Sequence, residues 1–292
     1  MDLRAIAMGV AFAFMWASAF SSARIIVAEA PPLTALAIRF FLSGLIAIGI
    51  AWALGQSLRL TRAQWIATAI FGLCQNTLYL GFNFVAMQWI EAGLATIIAA
   101  TMPLLVAFAG WAFLGQRVRP LGAVGLAAGF AGVAIIMGAR LSQGVDLFGV
   151  LLCVLGVVSL TAATMLVRSA SSGGNIVMII GLQMVIGSAG LALAAVPLET
   201  WEVNWTWPLA LAFLYTLFVP GLIATWVWFL LVARIGAVRA ATFHFLTPPF
   251  GVGVAALLLG ERLSWLDALG VGVVAVGILA VQLSKEPQPS LS

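Results

Sequence analysis

The sequence contains few charged residues and only two cysteines. Aspartate, glutamate, lysine and arginine make up 8% of the 292 residues, and hydrophobic residues make up 64%. A soluble domain carries roughly 25% charged residues, so a soluble globular fold is excluded. Cys74 and Cys153 both fall within apolar stretches, and neither a disulfide framework nor a thiolate metal site is expected. The composition predicts an integral membrane protein without a metal or cofactor.

Reactive side chains are also scarce within the apolar stretches. His244 is the single histidine, and no acidic residue falls inside a predicted membrane core. A membrane-embedded enzyme would need a catalytic dyad or a metal cluster at depth, and an ATP-driven pump would need a nucleotide-binding motif. Exporters of organic cations generally need an embedded carboxylate, and carriers of phosphorylated sugars need several buried cations. All four classes are disfavoured.

Apolar windows of membrane length predict an all-α protein with ten transmembrane helices. The first apolar run resembles a signal peptide but continues to Val27, so it is predicted to be a retained span. Residues 285–292 are polar and are expected to form a disordered tail. The ten predicted spans are Ala5–Val27, Leu33–Leu54, Trp65–Met87, Ala92–Leu114, Leu121–Ala139, Leu147–Val167, Ile176–Val196, Pro208–Ala233, Ala237–Gly260 and Trp265–Leu283.

The basic residues predict the orientation of the chain in the membrane. They are scattered singly at span ends instead of forming a patch, so the pI of about 9.8 reflects topology and not nucleic-acid binding. The side that holds the amino terminus carries most of them: Arg4, Arg59, Arg62, Arg117, Arg119, Arg168, Arg234, Arg239 and Lys285. The positive-inside rule therefore predicts that both termini are cytoplasmic.

The two halves of the chain share a pattern. When residues 91–117 are aligned without gaps on residues 236–262, Pro103 falls on Pro248 and Gly115 falls on Gly260. The register continues into the next span, where Gly125 falls on Gly270 and Gly132 on Gly277. The repeats are predicted as residues 1–140 and 146–284, each with five spans. An odd number of spans inserts the second copy upside down, which predicts inverted topology.

These residues resemble the drug/metabolite transporter superfamily, in its ten-helix branch built from two EamA repeats. The features are the P…G-[QE]-R segments that begin at Pro103 and Pro248, the M-W-A-S-A-F run from Met15 and the A-x-R-F-F-L-S-G run from Ala37. Within the superfamily the sequence looks most like bacterial inner-membrane exporters of aromatic and other neutral amino acids. Exporters of other small metabolites or drugs are the alternative. The resemblance implies a small-molecule substrate, a lipid bilayer and transport by alternating access.

The third span is the richest in polar residues. Asn76, Tyr79 and Asn83 are spaced to share one helix face, and Gln75 adjoins them. Amide groups can donate to a carboxylate and accept from an ammonium, which suits a zwitterionic solute. The alternative is hydrogen bonding between helices. We predict that this face lines the substrate cavity.

Other predicted cavity residues lie near the middle of their spans. His244 precedes Thr247 by about one turn in the broken ninth span. The histidine is either a proton site or, as we favour, a neutral ring in the cavity wall. Trp16 provides either an aromatic pocket or simple packing. The remaining predicted cavity residues are Thr101, Thr161 and Thr164.

Prolines and glycines complete the predictions. Pro103, Pro220 and Pro248 are predicted hinges, with static kinks as the alternative. A smooth stripe on the fifth span predicts a packing seam, with homodimerisation of an otherwise monomeric protein as the alternative. This stripe consists of Gly122, Gly125, Gly129 and Gly132.

Arg39 is the one cation that falls inside a predicted span. It is expected to extend toward the span end or to form a structural pair, and attraction of a substrate carboxylate is the alternative.

Overall fold

The computed structural model describes residues 3–115, 119–142, 144–166, 174–235, 240 and 242–284. The predicted tail at 285–292 lies outside this set. In chain order the α-helices are α1 Leu3–Glu29, α2 Pro32–Ala53, α3 Arg62–Phe71, α4 Leu80–Ala86, α5 Ala92–Ala100, α6 Met102–Leu114, α7 Pro120–Ser142, α8 Leu147–Leu166, α9 Ile176–Leu198, α10 Trp207–Thr216, α11 Ala224–Ile235, α12 Thr247–Leu259 and α13 Trp265–Ser284. Two π-helical stretches, Gly72–Tyr79 and Leu217–Ile223, and a 3₁₀ turn, Thr242–Leu246, interrupt them.

The described chain is helical and contains no β-strand, which confirms the predicted fold class. Eight helical segments are long and apolar enough to cross a membrane, and two of them, Ala92–Phe113 and Trp207–Trp228, run through successive elements; the shorter apolar helix Phe243–Leu259 adds to them. The third predicted span is present as α3, the first π-helical stretch and α4 in succession. Large apolar side chains such as Leu257, which is 87% exposed, cover the surface. A lipid environment accounts for this exposure, because lipid tails solvate such side chains as well as a protein core does.

The helices form two compact units. The first unit comprises Met1–Ser21, Ile90–Leu147 and Ile223–Ser292, and the second comprises Ser22–Trp89 and Phe148–Leu222. Each unit therefore takes segments from both halves of the sequence. The predicted sequence repeats and the compact units are different divisions of the same chain.

Within the first unit, α7 packs on α13 through a seam of glycines. The buried residues Gly122, Gly125, Gly129 and Gly132 lie on one side of the seam. A Cβ atom at Gly277 of α13 would lie 2.5 Å from the backbone nitrogen of Gly129, and one at Gly132 would lie 2.9 Å from the carbonyl oxygen of Gly270. The absence of side chains lets the two backbones touch directly.

The fourth and ninth spans pack in the same unit. A Cβ atom at Gly251 of α12 would overlap the side chain of Thr96 on α5. The carboxylate of Glu261, just beyond the end of α12, accepts hydrogen bonds from the first backbone nitrogens of α5, those of Ala92 and Gly93. The end of one helix therefore meets the start of the other, and the two run antiparallel.

In the second unit, α2 packs on α9 with reciprocal caps. Glu199, at the end of α9, accepts hydrogen bonds from the backbone nitrogens of Leu33 and Thr34 at the start of α2. At the opposite end, the Gln56 side chain accepts a hydrogen bond from the backbone nitrogen of Met178 in the first turn of α9. These acceptors satisfy donors that a helix start leaves unpaired.

The three pairings join spans that occupy equivalent places in the two repeats. The second span packs on the seventh, the fourth on the ninth and the fifth on the tenth. In the first two pairs a cap joins the beginning of one helix to the end of its equivalent. In the third pair Gly129 lies against Gly277 and Gly132 against Gly270, so the two helices run in opposite directions. Antiparallel packing of equivalent spans is the local consequence of inverted repeats.

Candidate functional site

An aromatic cluster forms where the first, eighth and ninth spans meet in the first unit. The ring of Phe12 lies 4.7 Å from Trp228 and 5.5 Å from His244, and the rings of Trp228 and His244 are 5.5 Å apart. Trp16 adjoins Phe12 at 6.0 Å. We call these four residues the aromatic cluster. Of its members, Trp16 and His244 are among the predicted cavity residues.

Sequence reasoning missed Phe12 and Trp228. Phe12 precedes Trp16 by one helical turn, so the i, i+4 spacing on the first span is a signal for it. Trp228 has no comparable signal, because Trp226 lies two positions away on the same helix and only packing distinguishes the two. Trp226 is exposed, whereas Trp228 packs against the cluster.

A break in the ninth span places His244. The chain forms the 3₁₀ turn Thr242–Leu246 and then restarts as α12, which carries Pro248 in its first turn. Proline has no backbone donor, and it is tolerated in the first turn of a helix because no intrahelical bond is lost there. The break is thus a consequence of the sequence, and it sets His244 on the turn and Thr247 at the helix start.

The 3₁₀ turn is anchored on the first span by close packing. Phe243 forms a buried apolar group with Ala5, Leu231 and Ala240. A Cβ atom at Gly9 would lie 2.4 Å from the Phe243 ring, so only glycine allows this approach. The neighbouring His244 is therefore held beside Phe12.

Thr247 completes this part of the molecule. Its side chain is 2% exposed, and its hydroxyl has no hydrogen-bond partner within the described part of the chain. A buried hydroxyl without a partner is unfavourable, and such groups need an explanation such as a ligand or water. Thr247 offers a free polar contact one turn beyond His244.

The fourth span has a break at the equivalent place. Thr101 separates α5 from α6, and Pro103 lies in the first turn of α6. Both residues are buried, and the Thr101 hydroxyl donates to the carbonyl oxygen of Ile98 at 2.6 Å. The Thr101 hydroxyl is therefore occupied within its own helix.

The polar face of the third span lies in the second unit. Asn76, Tyr79 and Asn83 are buried, and Gln75 is half-buried. The Asn76 amide donates to the carbonyl oxygen of Gln183 at 2.9 Å, and the Asn83 amide donates to that of Tyr79 at 2.7 Å. Asn76 thus makes a hydrogen bond between helices, which was the alternative to cavity lining.

Two further polar contacts fill the same region. Thr77, a polar residue of the third span that was not among the predicted cavity residues, donates to the carbonyl oxygen of Gly187 at 2.9 Å. The Cys153 thiol donates to the side-chain oxygen of Asn83 at 3.4 Å. The third span is therefore held between the sixth and seventh by its polar side chains.

The threonines of the sixth span point to their own helix. The hydroxyl of Thr161 donates to the carbonyl oxygen of Val157 at 2.8 Å, and that of Thr164 donates to Leu160 at 2.7 Å. Such bonds satisfy a hydroxyl without a neighbouring helix. Neither threonine lies in the same compact unit as the aromatic cluster.

Pro220 and Arg39 are neighbours in the second unit. Pro220 lies inside the π-helical stretch Leu217–Ile223, where a wider turn accommodates the missing donor. The Arg39 guanidinium lies beside Gly221, the next residue. Arg39 is only 6% exposed, so the expectation that it extends toward the span end is wrong, and no described residue forms an ion pair with it.

A cavity of about 1230 Å³ opens at one end of the second unit. Its wall includes the carboxylates Glu29 and Glu199 and the aromatic residues Trp89, Phe148 and Trp201. None of the described lining residues is one of the predicted cavity residues, and none is lysine or arginine. Glu29 also accepts a hydrogen bond from Asn204 at 2.6 Å.

The helical composition, the candidate spans and the inverted pairings define a multi-pass membrane protein. The EamA-like transporter family matches residues 3–138 and, a second time, residues 147–283. The chain belongs to the EamA-like transporter family and is a membrane transporter.

Similar proteins extend over nearly the whole chain. The uncharacterized transporter YvbV of Bacillus subtilis is 28% identical over 277 residues, which cover 94% of this chain and 90% of YvbV. The uncharacterized inner membrane transporter YedA of Escherichia coli K12 is 26% identical, with coverage of 93% and 88%. A solved crystal structure covers 97% of this chain and 99% of its own with a TM-score of 0.67 and 20% identity, and it shows the fold alone.

Proposed function

We propose that this transporter exports aromatic and other neutral amino acids across the bacterial inner membrane by alternating access, with both termini in the cytoplasm. The observation that carries the proposal is the aromatic cluster of Phe12, Trp16, Trp228 and His244. Aromatic rings 4.5–7 Å apart attract one another in tilted and edge-to-face arrangements. A solute ring added to this cluster gains the same contacts.

The state of the carboxylates supports a neutral solute. Glu199 and Glu261 are occupied as helix caps at span ends. Each carboxylate already accepts backbone donors at the positive end of a helix, so its hydrogen-bonding capacity is engaged in holding two spans together. A zwitterionic solute needs no embedded acid to balance its charge.

The broken helices supply the proposed movement. Thr101 and Pro103 interrupt the fourth span, and Pro248 follows the interruption of the ninth. Residues at element ends absorb the backbone rotation in hinge motions. We assign these breaks, together with Pro220, as the hinges of alternating access.

The cavity in the second unit favours a second candidate class. Its carboxylates and aromatic walls suit a solute with an amine and an apolar body, such as an amphipathic drug. This alternative differs from amino-acid export in one respect, since the solute carries no carboxylate. An aromatic amine without a carboxylate therefore belongs in the test panel.

The test is flux through the purified protein in proteoliposomes loaded with labelled phenylalanine or tryptophan, with and without an imposed proton gradient. We expect flux without an imposed gradient, and we expect other aromatic amino acids to inhibit it by competition. Flux that appears only with the gradient would make His244 the leading candidate for the coupling residue. Transport of phenethylamine but of no amino acid would contradict the proposal and favour the amine class.

A further inference from the structure

Arg39 is a buried cation without a counter-charge in the described protein. Its side chain lies in α2, is 6% exposed, and has no partner for its Nε atom. No described aspartate or glutamate forms an ion pair with it. Charged groups inside membrane spans are unfavourable, and those that persist usually pair or contact a substrate.

The described surroundings of Arg39 contact the flat face of the guanidinium but provide no acceptor for the N–H donors at its edge. The central carbon of the guanidinium lies 4.7 Å from the centroid of the Phe40 ring, so a cation–π contact covers one face. The N–H donors lie in the plane of the group and receive nothing from a ring below it. The donor edge therefore remains available to an acceptor.

The neighbouring helix approaches this edge through a glycine. A Cβ atom at Gly221 would lie 3.2 Å from the carbonyl oxygen of Thr216, 3.5 Å from the Ser43 hydroxyl and 3.7 Å from Nη2 of Arg39. Ser43 donates only a long hydrogen bond, 3.5 Å, to the carbonyl oxygen of Leu217. Glycine at this position keeps the second unit free of a side chain where Arg39 and Ser43 converge.

The local helix geometry is the second unusual feature. Arg39 faces a π-helical stretch, Leu217–Ile223, that contains Pro220. Short π-helical segments inside α-helices occur frequently at functional sites. The unpaired cation and the irregular helix come from different spans, and they meet at one point.

We propose that Arg39 is the binding group for the carboxylate of the transported solute, with Ser43 as an adjacent polar contact. A planar guanidinium and a carboxylate match in two parallel hydrogen bonds. A single cation suits a carboxylate better than a phosphate, which carries more charge. The inference rests on the proposed function in that an amino acid carries such a group.

The test compares carboxylates with their amides on the purified full-length protein. The probes are phenylalanine with phenylalaninamide, and benzoate with benzamide, and the readout is the thermal unfolding midpoint in detergent. We expect each carboxylate to raise the midpoint of the wild type while its amide does not. In Arg39→Gln the effect of both carboxylates should disappear.

Two further variants separate binding from folding. Arg39→Lys keeps the charge but loses the two-pronged geometry, and it should weaken the apparent affinity for phenylalanine about 10- to 100-fold. Arg24 is the matched control, because it lies in the same unit and donates to the carbonyl oxygen of Met87. Arg24→Gln should respond to phenylalanine as the wild type does. In flux assays Arg39→Lys should raise KM more than it lowers kcat.

The outcomes are distinguishable. Equal responses of wild type and Arg39→Gln to phenylalanine overturn the inference. If Arg39→Gln does not fold, equal binding of phenylalanine and phenylalaninamide by the wild type overturns it. If benzoate stabilises the wild type through Arg39 and phenylalanine does not, the proposed function fails while the inference holds. Absence of any response to carboxylates overturns both.

Discussion

The carboxylate of Glu261 accepts a hydrogen bond from the backbone nitrogen of Ala92 at 2.7 Å. It accepts a second one, at 2.9 Å, from Gly93. One side chain thus joins the end of the ninth span to the start of the fourth. Because the positive end of a helix dipole favours a negative group, the contact is electrostatically favourable as well as geometrically specific.

Replacement of Glu261 should destabilise the protein. Glu261→Ala leaves two buried backbone donors without an acceptor, and we expect a loss of about 1–3 kcal/mol in unfolding free energy. Glu261→Gln retains an acceptor and should recover part of that loss. The measurement is thermal unfolding in detergent. Glu202, which is exposed, is the control. Equal midpoints for Glu261→Ala and Glu202→Ala would show that the cap contributes nothing.

Alanine in the glycine seam between α7 and α13 should destabilise the protein. A Cβ atom at Gly277 would lie 2.5 Å from the backbone nitrogen of Gly129, so Gly277→Ala must separate the helices. We expect a loss of about 1–3 kcal/mol, as for overpacked cores. Gly272 on the same helix has no atom within 4 Å of its Cβ position, and Gly272→Ala should cause no loss. Similar melting temperatures of the two variants would contradict the close packing of α7 on α13.

Trp228→Ala should reduce flux of labelled tryptophan in proteoliposomes. The cluster loses two ring contacts, at 4.7 Å to Phe12 and 5.5 Å to His244. We expect about a tenfold loss of transport efficiency. The matched control is Trp226→Ala on the same helix, where the side chain is exposed. Equal effects of the two substitutions would remove the cluster from the transport path.

His244→Ala tests whether the histidine couples transport to protons. The ring lies edge-on to Phe12 at 5.5 Å and is half-buried in the aromatic cluster. We expect flux to fall about 2- to 10-fold through lost ring contacts, with its dependence on the pH gradient unchanged. Flux at several imposed gradients provides the measurement. A gradient response that vanishes in the variant would establish His244 as a proton site.

Asn76→Ala should destabilise the protein. The Asn76 amide donates to the Gln183 carbonyl oxygen at 2.9 Å between the third and seventh spans. Removal of the donor deletes this bond between the helices and should lower the unfolding free energy by about 0.5–1.5 kcal/mol. Gln75→Ala, at a half-buried neighbour, should have a smaller effect on the melting temperature. Reduced flux with an unchanged melting temperature would instead return Asn76 to the cavity wall.

The sequence by itself determined the membrane class, the helical fold and the duplicated breaks. Low charge, long apolar windows and the correspondence of Pro103 with Pro248 are local properties, and proline disrupts a helix wherever it lies. The interruption at Thr101 and the one before Thr247 follow from these residues alone.

Only the tertiary structure decided which polar and aromatic side chains meet. Asn76 and His244 look equally suited to a cavity in the sequence, yet one bonds to Gln183 and the other joins Phe12 and Trp228. Arg39 had the reach to extend toward the end of its span, but its side chain is buried and lies beside Gly221. The reason is physical: a helix specifies which face a residue occupies, whereas the neighbour of that face depends on contacts between distant parts of the chain.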